Sequence, residues 1–401
     1  FYDPQSRLLP HTMLSSYTVT EQIAEFRQLA DYADYDHFRM ALPVKIPAFS
    51  CQVITYDIPK TERHMENKEW KCSRMDAVRR DYTTMRTGTH TFANGKLIVE
   101  FLANGALSVT DLETGKKYEE LFLFEDDSEC GEGWNHRSAR YDEKVGMYGG
   151  NARISVLTDN ENIARVRVRH TMCLPQEAEG EFCRSRQEKE FVIDAVYTIA
   201  KNSKRIDCRA EICNNVRDHR LRVVFPTHSE AAEFYTAMPY GLQKWTEDKE
   251  DHSYDFEPYS PVVPGHGCLM MEDGKDMFSV YSKGLYEFEV AKRKDRAISL
   301  TLFRAIPKET FMLKSDMGQL QRKMRFEFAV DLERRPMAEA LRRSKAYQLG
   351  LLTCPAAGAG RELPKECSIV SVTGNAVFSS LRARGLLSAK PELRLYDAAG
   401  G

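Results

Sequence analysis

The sequence predicts a mainly β protein built around a large antiparallel β-sandwich, and three observations support this fold class. Apolar and charged residues alternate through several segments, Gly-containing dipeptides separate some of them, and helical periodicity is rare. A strand that is buried on one face requires a period of two, because successive side chains point to opposite faces. There are more such segments than one small sandwich needs, which favours large stacked sheets.

The clearest predicted strand is residues 205–214, RIDCRAEICN. Ile206, Cys208, Ala210 and Ile212 share one face, and charged residues occupy the other. Residues 163–170 (IARVRVRH) and 325–332 (RFEFAVDL) repeat the alternation. Each segment is therefore predicted to pack its apolar face against a core.

A strand meander is predicted for residues 95–118. The turns fall at Asn94-Gly95, Asn104-Gly105 and Thr114-Gly115. Asn-Gly favours tight hairpins, because both residues tolerate positive φ.

Two short helices interrupt the β pattern. Residues 20–33 place Ile23, Phe26 and Ala30 at helical spacing, and residues 337–350 show the same periodicity up to Gly350. A glycine after the last periodic residue is a common helix stop.

We predict four parts in the chain of 401 residues. Residues 1–60 form a small β segment, 61–90 a charged linker, 91–335 the large sandwich and 336–401 a C-terminal β segment that is truncated. The chain begins FYDPQSRLLP, without Met, and we interpret it as a fragment or a processed chain.

Composition argues against several classes of partner. The net charge is −2, so nucleic acid and anionic membranes are not expected partners. No apolar run reaches the roughly 18–20 residues that a membrane helix needs. The ten cysteines form no Cys-x-x-Cys pair and no Asn-x-Ser/Thr acceptor occurs, which favours a cytoplasmic location.

Familiar catalytic motifs are missing from the sequence. It contains no Gly-x-Ser-x-Gly elbow, P-loop, His-Glu-x-x-His or Gly-x-Gly-x-x-Gly motif. We therefore assign no catalytic residue and no metal ligand in this chain.

The acidic segment 121–138 is the strongest candidate for a binding site. It groups five carboxylates around two glycines, Trp134, Asn135 and His136. An aromatic ring beside carboxylate and amide groups suits a sugar, because the ring covers C–H faces and polar groups bind hydroxyls. The alternative is a solvated acidic loop with Trp134 as a packing anchor.

Two arginines raise questions about buried charge. Arg304 ends the apolar run LTLF, and we expect it to form an ion pair or carbonyl contacts at a domain interface. Arg222 lies in another apolar strand, where Asp218 is a possible partner.

Five segments carry a family resemblance, in this order along the chain. They are residues 104–121, 123–135, 214–227, 284–305 and 393–397. Together they resemble the C-terminal β region of family 38 glycoside hydrolases, the α-mannosidases, with the bacterial mannosylglycerate hydrolases nearest. The segments RDHRLRVVFPT and ISLTLFRA are the most specific. The resemblance implies a supersandwich of the galactose mutarotase-like type with smaller β sub-domains beside it.

The resemblance also implies a parent enzyme that is zinc-dependent and retaining, with a carboxylate nucleophile. Its zinc is held by His and Asp side chains in an N-terminal catalytic domain, and the His-x-Asp motif of that domain is absent here. We expect no cofactor in this chain. The family's β region reaches the substrate cleft at the acidic segment, which implies that Asp127, Glu129, Trp134 and Asn135 face the substrate. Nothing in the family pattern requires His136.

Three functions are therefore weighed. The first is the C-terminal β portion of an α-mannosidase, inactive alone. Its expected partners are a mannoside or oligosaccharide, its own catalytic domain and, in a homodimer, a second copy. The second is a stand-alone carbohydrate-binding module. The third is a lyase or epimerase that uses His228, Tyr240, His266 and Arg304, although no spacing supports this grouping.

Overall fold

The computed structural model describes most of the chain. It covers residues 1–22, 32–47, 49–57, 83–247, 259–274, 276–291, 295–309, 316–354, 364–383 and 391–398. These residues form two compact units. The smaller unit contains residues 1–84, 160–163 and 353–372, and the larger unit contains residues 85–159, 164–352 and 373–401.

Strands dominate the described residues. The strands of the first half are β1 (Thr12–Gln22), β2 (Tyr32–Ala41), β3 (Ser50–Gln52), β4 (Thr91–Ala93), β5 (Leu97–Phe101), β6 (Leu107–Asp111), β7 (Lys117–Leu121), β8 (Leu123–Ser128), β9 (Val145–Gly146), β10 (Arg153–Asp159), β11 (Ile163–Pro175), β12 (Ala178–Glu179), β13 (Cys183–Arg184) and β14 (Glu188–Ala200). Those of the second half are β15 (Arg205–Cys213), β16 (His219–Phe225), β17 (Glu233–Met238), β18 (Gly241–Thr246), β19 (Val262–Pro264), β20 (Cys268–Asp273), β21 (Asp276–Ser282), β22 (Glu287–Val290), β23 (Ile298–Arg304), β24 (Lys323–Asp331), β25 (Glu366–Ser368), β26 (Ala376–Ala383) and β27 (Pro391–Asp397). A 3-10 turn covers Met317–Gln319, and helix α1 covers Met337–Leu349.

Three sheets build the core of the larger unit. The nine-stranded sheet has the order β10-β11-β14-β15-β24-β21-β20-β17-β18, the six-stranded sheet β19-β22-β23-β16-β8-β9, and the four-stranded sheet β4-β5-β6-β7. The pairings between these strands are antiparallel. Buried side chains of all three sheets form one hydrophobic cluster, so the predicted mainly β class and the stacked antiparallel sandwich are confirmed.

Strand β15 illustrates why these residues form a sheet. Ile206, Cys208, Ala210 and Ile212 are buried, and the charged residues between them are half-buried. In the antiparallel register, Ile206 pairs with Val330 of β24. Full burial of such an aliphatic side chain contributes roughly 1.5–3 kcal/mol, so the alternating pattern stabilises this register.

Aromatic rings fill the space between the sheets. Phe122 contacts Tyr197, Phe225 and Phe328, with ring centroids 5.0–6.1 Å apart. All four rings are fully buried. These edge-to-face and stacked contacts give the core a defined packing beyond simple burial.

The predicted meander is confirmed as the four-stranded sheet. Gly95, Gly105 and Gly115 adopt φ values of 94°, 86° and 74° between its strands. At Gly105 a glycine is also needed for space, because a Cβ there would lie 2.4 Å from Cε1 of His170.

One of the two predicted helices is confirmed. Helix α1 ends where expected, at Gly350, which has φ 67° and donates its N–H to the carbonyl of Ala346 at 2.9 Å. The helix predicted for residues 20–33 is wrong at its ends, because Thr20 lies in β1 and Tyr32 in β2. These two strands pair with each other there, so hydrogen bonds between strands, and not within a helix, satisfy the backbone N–H and C=O groups. Residues 23–31 lie outside the described part of the chain.

The four-part division of the chain stays a prediction, and most of the predicted linker, through residue 82, lies outside the described residues. Among the described helices, none is both long and apolar enough to cross a membrane.

Candidate functional site

Strand β16 carries positive charge through the middle of the six-stranded sheet. All of its residues are buried, including Arg220 and Arg222. Strand β8 lies beside it with Asp127 opposite Arg220 and Glu125 opposite Arg222. Buried ions are tolerated only when they are paired, so the acidic strand and the basic strand make each other's burial possible.

Between β8 and β16, Asp127 and Arg220 form an ion pair with two hydrogen bonds, one to each carboxylate oxygen. Arg220 donates from Nε to Oδ1 at 2.9 Å and from its terminal nitrogen to Oδ2 at 2.6 Å. Asp127 is fully buried, and Arg222 lies 3.6 Å from the same carboxylate. Both oxygens of Asp127 are therefore occupied by protein donors.

Arg222 bridges two carboxylates of the six-stranded sheet, one on the adjacent strand β8 and one on β22, two strands away on the other side. It donates to Glu289 at 2.6 Å and also to Glu125. The predicted pair with Asp218 is wrong. Asp218 lies just before β16, with φ 51°, and the extended residues from His219 to Arg222 alone separate the two by about 10 Å. Asp218 instead accepts a hydrogen bond from Nε2 of Gln319 at 2.6 Å.

Asp126 forms a separate network on the opposite face of β8. Its Oδ2 lies 2.5 Å from Nδ1 of His219, and its Oδ1 accepts from Arg184. The other ring nitrogen of His219 lies 3.0 Å from Oδ1 of Asn214. Because the aspartate and the histidine are fully buried, this network is a structural one that holds β8 against β16.

Glu129 organises the loop that follows β8. Its Oε1 accepts the N–H of Gly131 at 2.8 Å, and its Oε2 contacts Nδ1 of His136 at 2.8 Å and Nε of Arg304 at 2.7 Å. Burial alone would raise the pKa of Glu129, but the bonds from His136 and Arg304 outweigh it and hold that pKa below the usual range. The loop is thus folded around an ionised carboxylate.

Arg304 fastens the same loop from strand β23. Besides Glu129, it donates to the carbonyl oxygens of Glu132 and Gly133 and lies 3.5 Å from Glu287. The predicted ion pair and carbonyl contacts are confirmed, and their predicted place at a domain interface stays a prediction. Apart from Glu287 of β22, these partners belong to the loop after β8, so the charge ends the apolar strand where that loop lies.

The four predicted site residues fall into two groups. Asp127 and Glu129 are fully buried and engaged by arginines. Trp134 is 74% exposed, and Asn135 beside it is exposed as well. The carbonyl of Asn135 accepts the N–H of Glu132 at 3.1 Å, which closes the loop tip. That these residues face a substrate stays a prediction.

The Asp127 pair makes stability depend on pH. Burial would raise the pKa of Asp127, but Arg220, Arg222 and His136 lower it to about 2, against 3.8 for a free aspartate. A lowered pKa means that the stabilisation is present above pH 3.8 and is lost as the pH falls towards 2. We expect this loss to be roughly 2 kcal/mol. Urea unfolding at several pH values measures it, and Asp127→Asn should flatten the curve in that window. An equally steep curve in Asp127→Asn would assign the acid sensitivity to other groups.

The described residues offer no metal site, since no three His, Cys, Asp or Glu side chains among them are grouped to hold an ion. Three of the four side chains considered for a lyase have separate partners. His266 packs on Tyr286, Tyr240 on Tyr396, and Arg304 binds the acidic loop.

The stacked antiparallel sheets define the class of this protein as a large β-sandwich domain. Buried ion pairs join β8 and β16, and Glu129 and Arg304 hold the loop after β8. The model of the family "Glycosyl hydrolases family 38 C-terminal domain" matches residues 92–309. This range is more than half of the chain and contains the acidic loop, β16 and Arg304. The chain belongs to glycosyl hydrolase family 38, as the resemblance implied.

Individual relatives agree with this assignment. The chain is 21% identical over 234 residues to a putative mannosylglycerate hydrolase of Halalkalibacterium halodurans, covering 54% of this chain and 25% of the relative. An α-mannosidase from Enterococcus faecalis V583 superposes with a TM-score of 0.78 at 17% identity, over 96% of this chain and 44% of that one. A family 38 protein from Enterococcus faecalis gives 0.77 at 17% identity, over 98% and 46%. These structures show a shared fold, and the chain spans less than half the length of each.

Proposed function

We propose that this chain is the C-terminal β portion of a zinc-dependent, retaining α-mannosidase that hydrolyses terminal α-mannosides. The observation that carries the proposal is the family match over residues 92–309. This range includes the acidic loop, strand β8 before it and strand β23, whose Arg304 binds it. In this proposal the β portion supports an N-terminal catalytic domain and completes its substrate cleft. The cytoplasmic location and the homodimer predicted from the sequence stay predictions.

The loop after β8 is the element that we propose for the cleft. Glu129 and Arg304 hold it in place, and its tip exposes Trp134 beside Asn135. An indole ring covers the C–H face of a pyranose, and a side-chain amide bonds to hydroxyls. Contact with the sugar is therefore proposed for Trp134 and Asn135, and the buried Asp127 and Glu129 position the loop.

Zinc does not fit the described residues of this chain, which lack a group of three suitable ligands. No catalytic step is assigned to them. In the proposal, the zinc and the nucleophile both belong to the catalytic domain of the parent enzyme.

The proposed activity is tested on the product of the complete gene. We expect it to hydrolyse an aryl α-mannoside with retention of the anomeric configuration, which NMR of the first-formed sugar measures. Inversion, or hydrolysis of β-mannosides alone, would contradict the proposal.

The loop tip has its own test in the same enzyme. We expect Trp134→Ala to raise KM for the mannoside about tenfold, because the indole ring no longer stacks on the C–H face of the sugar. The unfolding free energy should change by less than about 0.5 kcal/mol, since the ring is exposed. Tyr240→Ala removes another exposed ring, 76% accessible, and should leave KM unchanged. Equal KM values for Trp134→Ala and the parent would remove the loop from the cleft.

The alternative function, a stand-alone carbohydrate-binding module, leads to a different expected result. Such a module binds sugar without a catalytic domain. Titration of the 401-residue chain with methyl α-mannoside distinguishes the two, because our proposal expects the complete protein to bind and this chain alone to show no saturable binding.

A further inference from the structure

Two cysteines meet across a short strand pair of the smaller unit. Strands β3 and β25 are antiparallel, and Cys51 lies directly opposite Cys367. Their sulfur atoms are 3.1 Å apart, and both residues are free thiols. The two cysteines are 316 residues apart in the sequence, so no local pattern indicates their proximity.

The backbone geometry suits a covalent bond. Residues directly opposite each other in an antiparallel pair have Cα atoms about 4.5–5.5 Å apart. Disulfides form when Cα atoms lie about 4.4–6.8 Å apart. Hydrogen bonds on both sides fix the register, from Val53 to Lys365 at 2.8 Å and from Ile369 to Phe49 at 2.9 Å.

The side chains around the pair hold the two strands together and leave one sulfur open to solvent. Gln52 donates to Glu366 at 2.9 Å, and Gln5 donates to the other oxygen of Glu366 at 3.1 Å. Cys51 is exposed and Cys367 is half-buried. A small oxidant can therefore reach Cys51. Cys367 lies within contact distance and can act as the resolving thiol, the one that attacks oxidised Cys51.

We propose that Cys51 and Cys367 form a reversible disulfide and are a redox modification site of the smaller unit. With a small disulfide such as glutathione disulfide, the Cys51 thiolate attacks one sulfur and releases one glutathione thiolate. The Cys367 thiolate then attacks Cys51 in the mixed disulfide and releases the second. Two protein thiols lose two protons and two electrons, and the small disulfide is reduced to two thiols. This inference does not depend on the proposed enzymatic function.

The bond would link segments near opposite ends of the chain. It restricts the unfolded state through a very large loop and blocks separation of β3 from β25. Oxidation should therefore slow hydrogen exchange of the Val53 and Ile369 amides about tenfold, since both donate across this strand pair.

The experiment exposes the 401-residue chain to glutathione disulfide, alkylates the remaining thiols and maps the tryptic peptides. We expect peptide 46–60 cross-linked to peptide 366–382 with the loss of two hydrogen atoms, and its release by dithiothreitol. Cys51→Ser and Cys367→Ser should each abolish the cross-link. Cys213→Ser removes another exposed cysteine and should leave it intact.

Other results would overturn the proposal. Separate glutathione adducts on Cys51 and Cys367, full alkylation of both, or a cross-link from either one to Cys354 would each show that the pair does not close. Unchanged exchange at Val53 and Ile369 in a sample shown to be cross-linked would overturn the proposed effect on the strand pair.

Discussion

Arg220→Met should lower the free energy of unfolding by about 3–5 kcal/mol. The substitution leaves Asp127 fully buried and removes both hydrogen bonds that Arg220 supplies. Arg222, 3.6 Å away, then remains as the nearest cation, so the buried carboxylate either carries much of its desolvation penalty or takes up a proton. Urea unfolding at neutral pH measures the loss.

A surface pair provides the matched control. Arg167 binds Asp194 on the nine-stranded sheet with 46% of its side chain exposed. Arg167→Met should change the unfolding free energy by at most about 1 kcal/mol, because solvent screens exposed pairs. The double variant Asp127→Leu/Arg220→Met should recover most of the stability, since neither charge then remains buried. Equal effects of Arg220→Met and Arg167→Met would show that the buried pair does not hold the sheet.

Arg304→Met should lower the unfolding free energy by about 2–4 kcal/mol and loosen the acidic loop. The substitution removes the bond to Glu129 and the donors to the carbonyls of Glu132 and Gly133. Glu129 keeps His136 and Gly131 as partners, so the expected effect is smaller than for Arg220→Met. Urea unfolding measures the stability. Hydrogen exchange of the Gly131 and Arg137 amides reports loop opening, because both donate to Oε1 of Glu129, at 2.8 and 3.3 Å.

Arg325→Met is the control for this loop experiment. Arg325 is 58% exposed and pairs with Glu327 on β24 of the nine-stranded sheet, whereas the loop follows β8 of the six-stranded sheet. It should change neither loop exchange nor stability by more than about 1 kcal/mol. Protection at Gly131 and Arg137 that survives Arg304→Met would mean that Glu129 and His136 hold the loop without the arginine.

Local patterns predicted the parts of the fold that depend on neighbouring residues. The alternation in 205–213 defines a strand with one buried face, and in the two Asn-Gly turns the glycine has positive φ while the asparagine does not. Helix α1 ends at Gly350, where glycine likewise adopts a positive φ. These features depend on residues within a few positions of one another, and the sequence shows such residues directly.

Contacts between distant strands were not predicted. Asp127 is 93 residues from Arg220 in the sequence, and Glu129 is 175 residues from Arg304. These pairs follow from the register of β8, β16 and β23, which no local pattern specifies. The wrong pairing of Arg222 with Asp218 has the same origin, because closeness in sequence along a strand is not closeness in space. For the acidic segment, composition indicated a polar site but could not show that its tip is exposed and its base buried.

The most direct test of the whole account is hydrolysis of an aryl α-mannoside by the 401-residue chain, with and without added zinc. A cooperative urea transition first shows that the chain is folded. We predict no turnover in either condition, because no catalytic residue or zinc ligand is assigned to this β portion. Zinc-dependent turnover would contradict the account, and the active site would then lie within this chain, with the acidic loop at residues 125–136 as the first place to search.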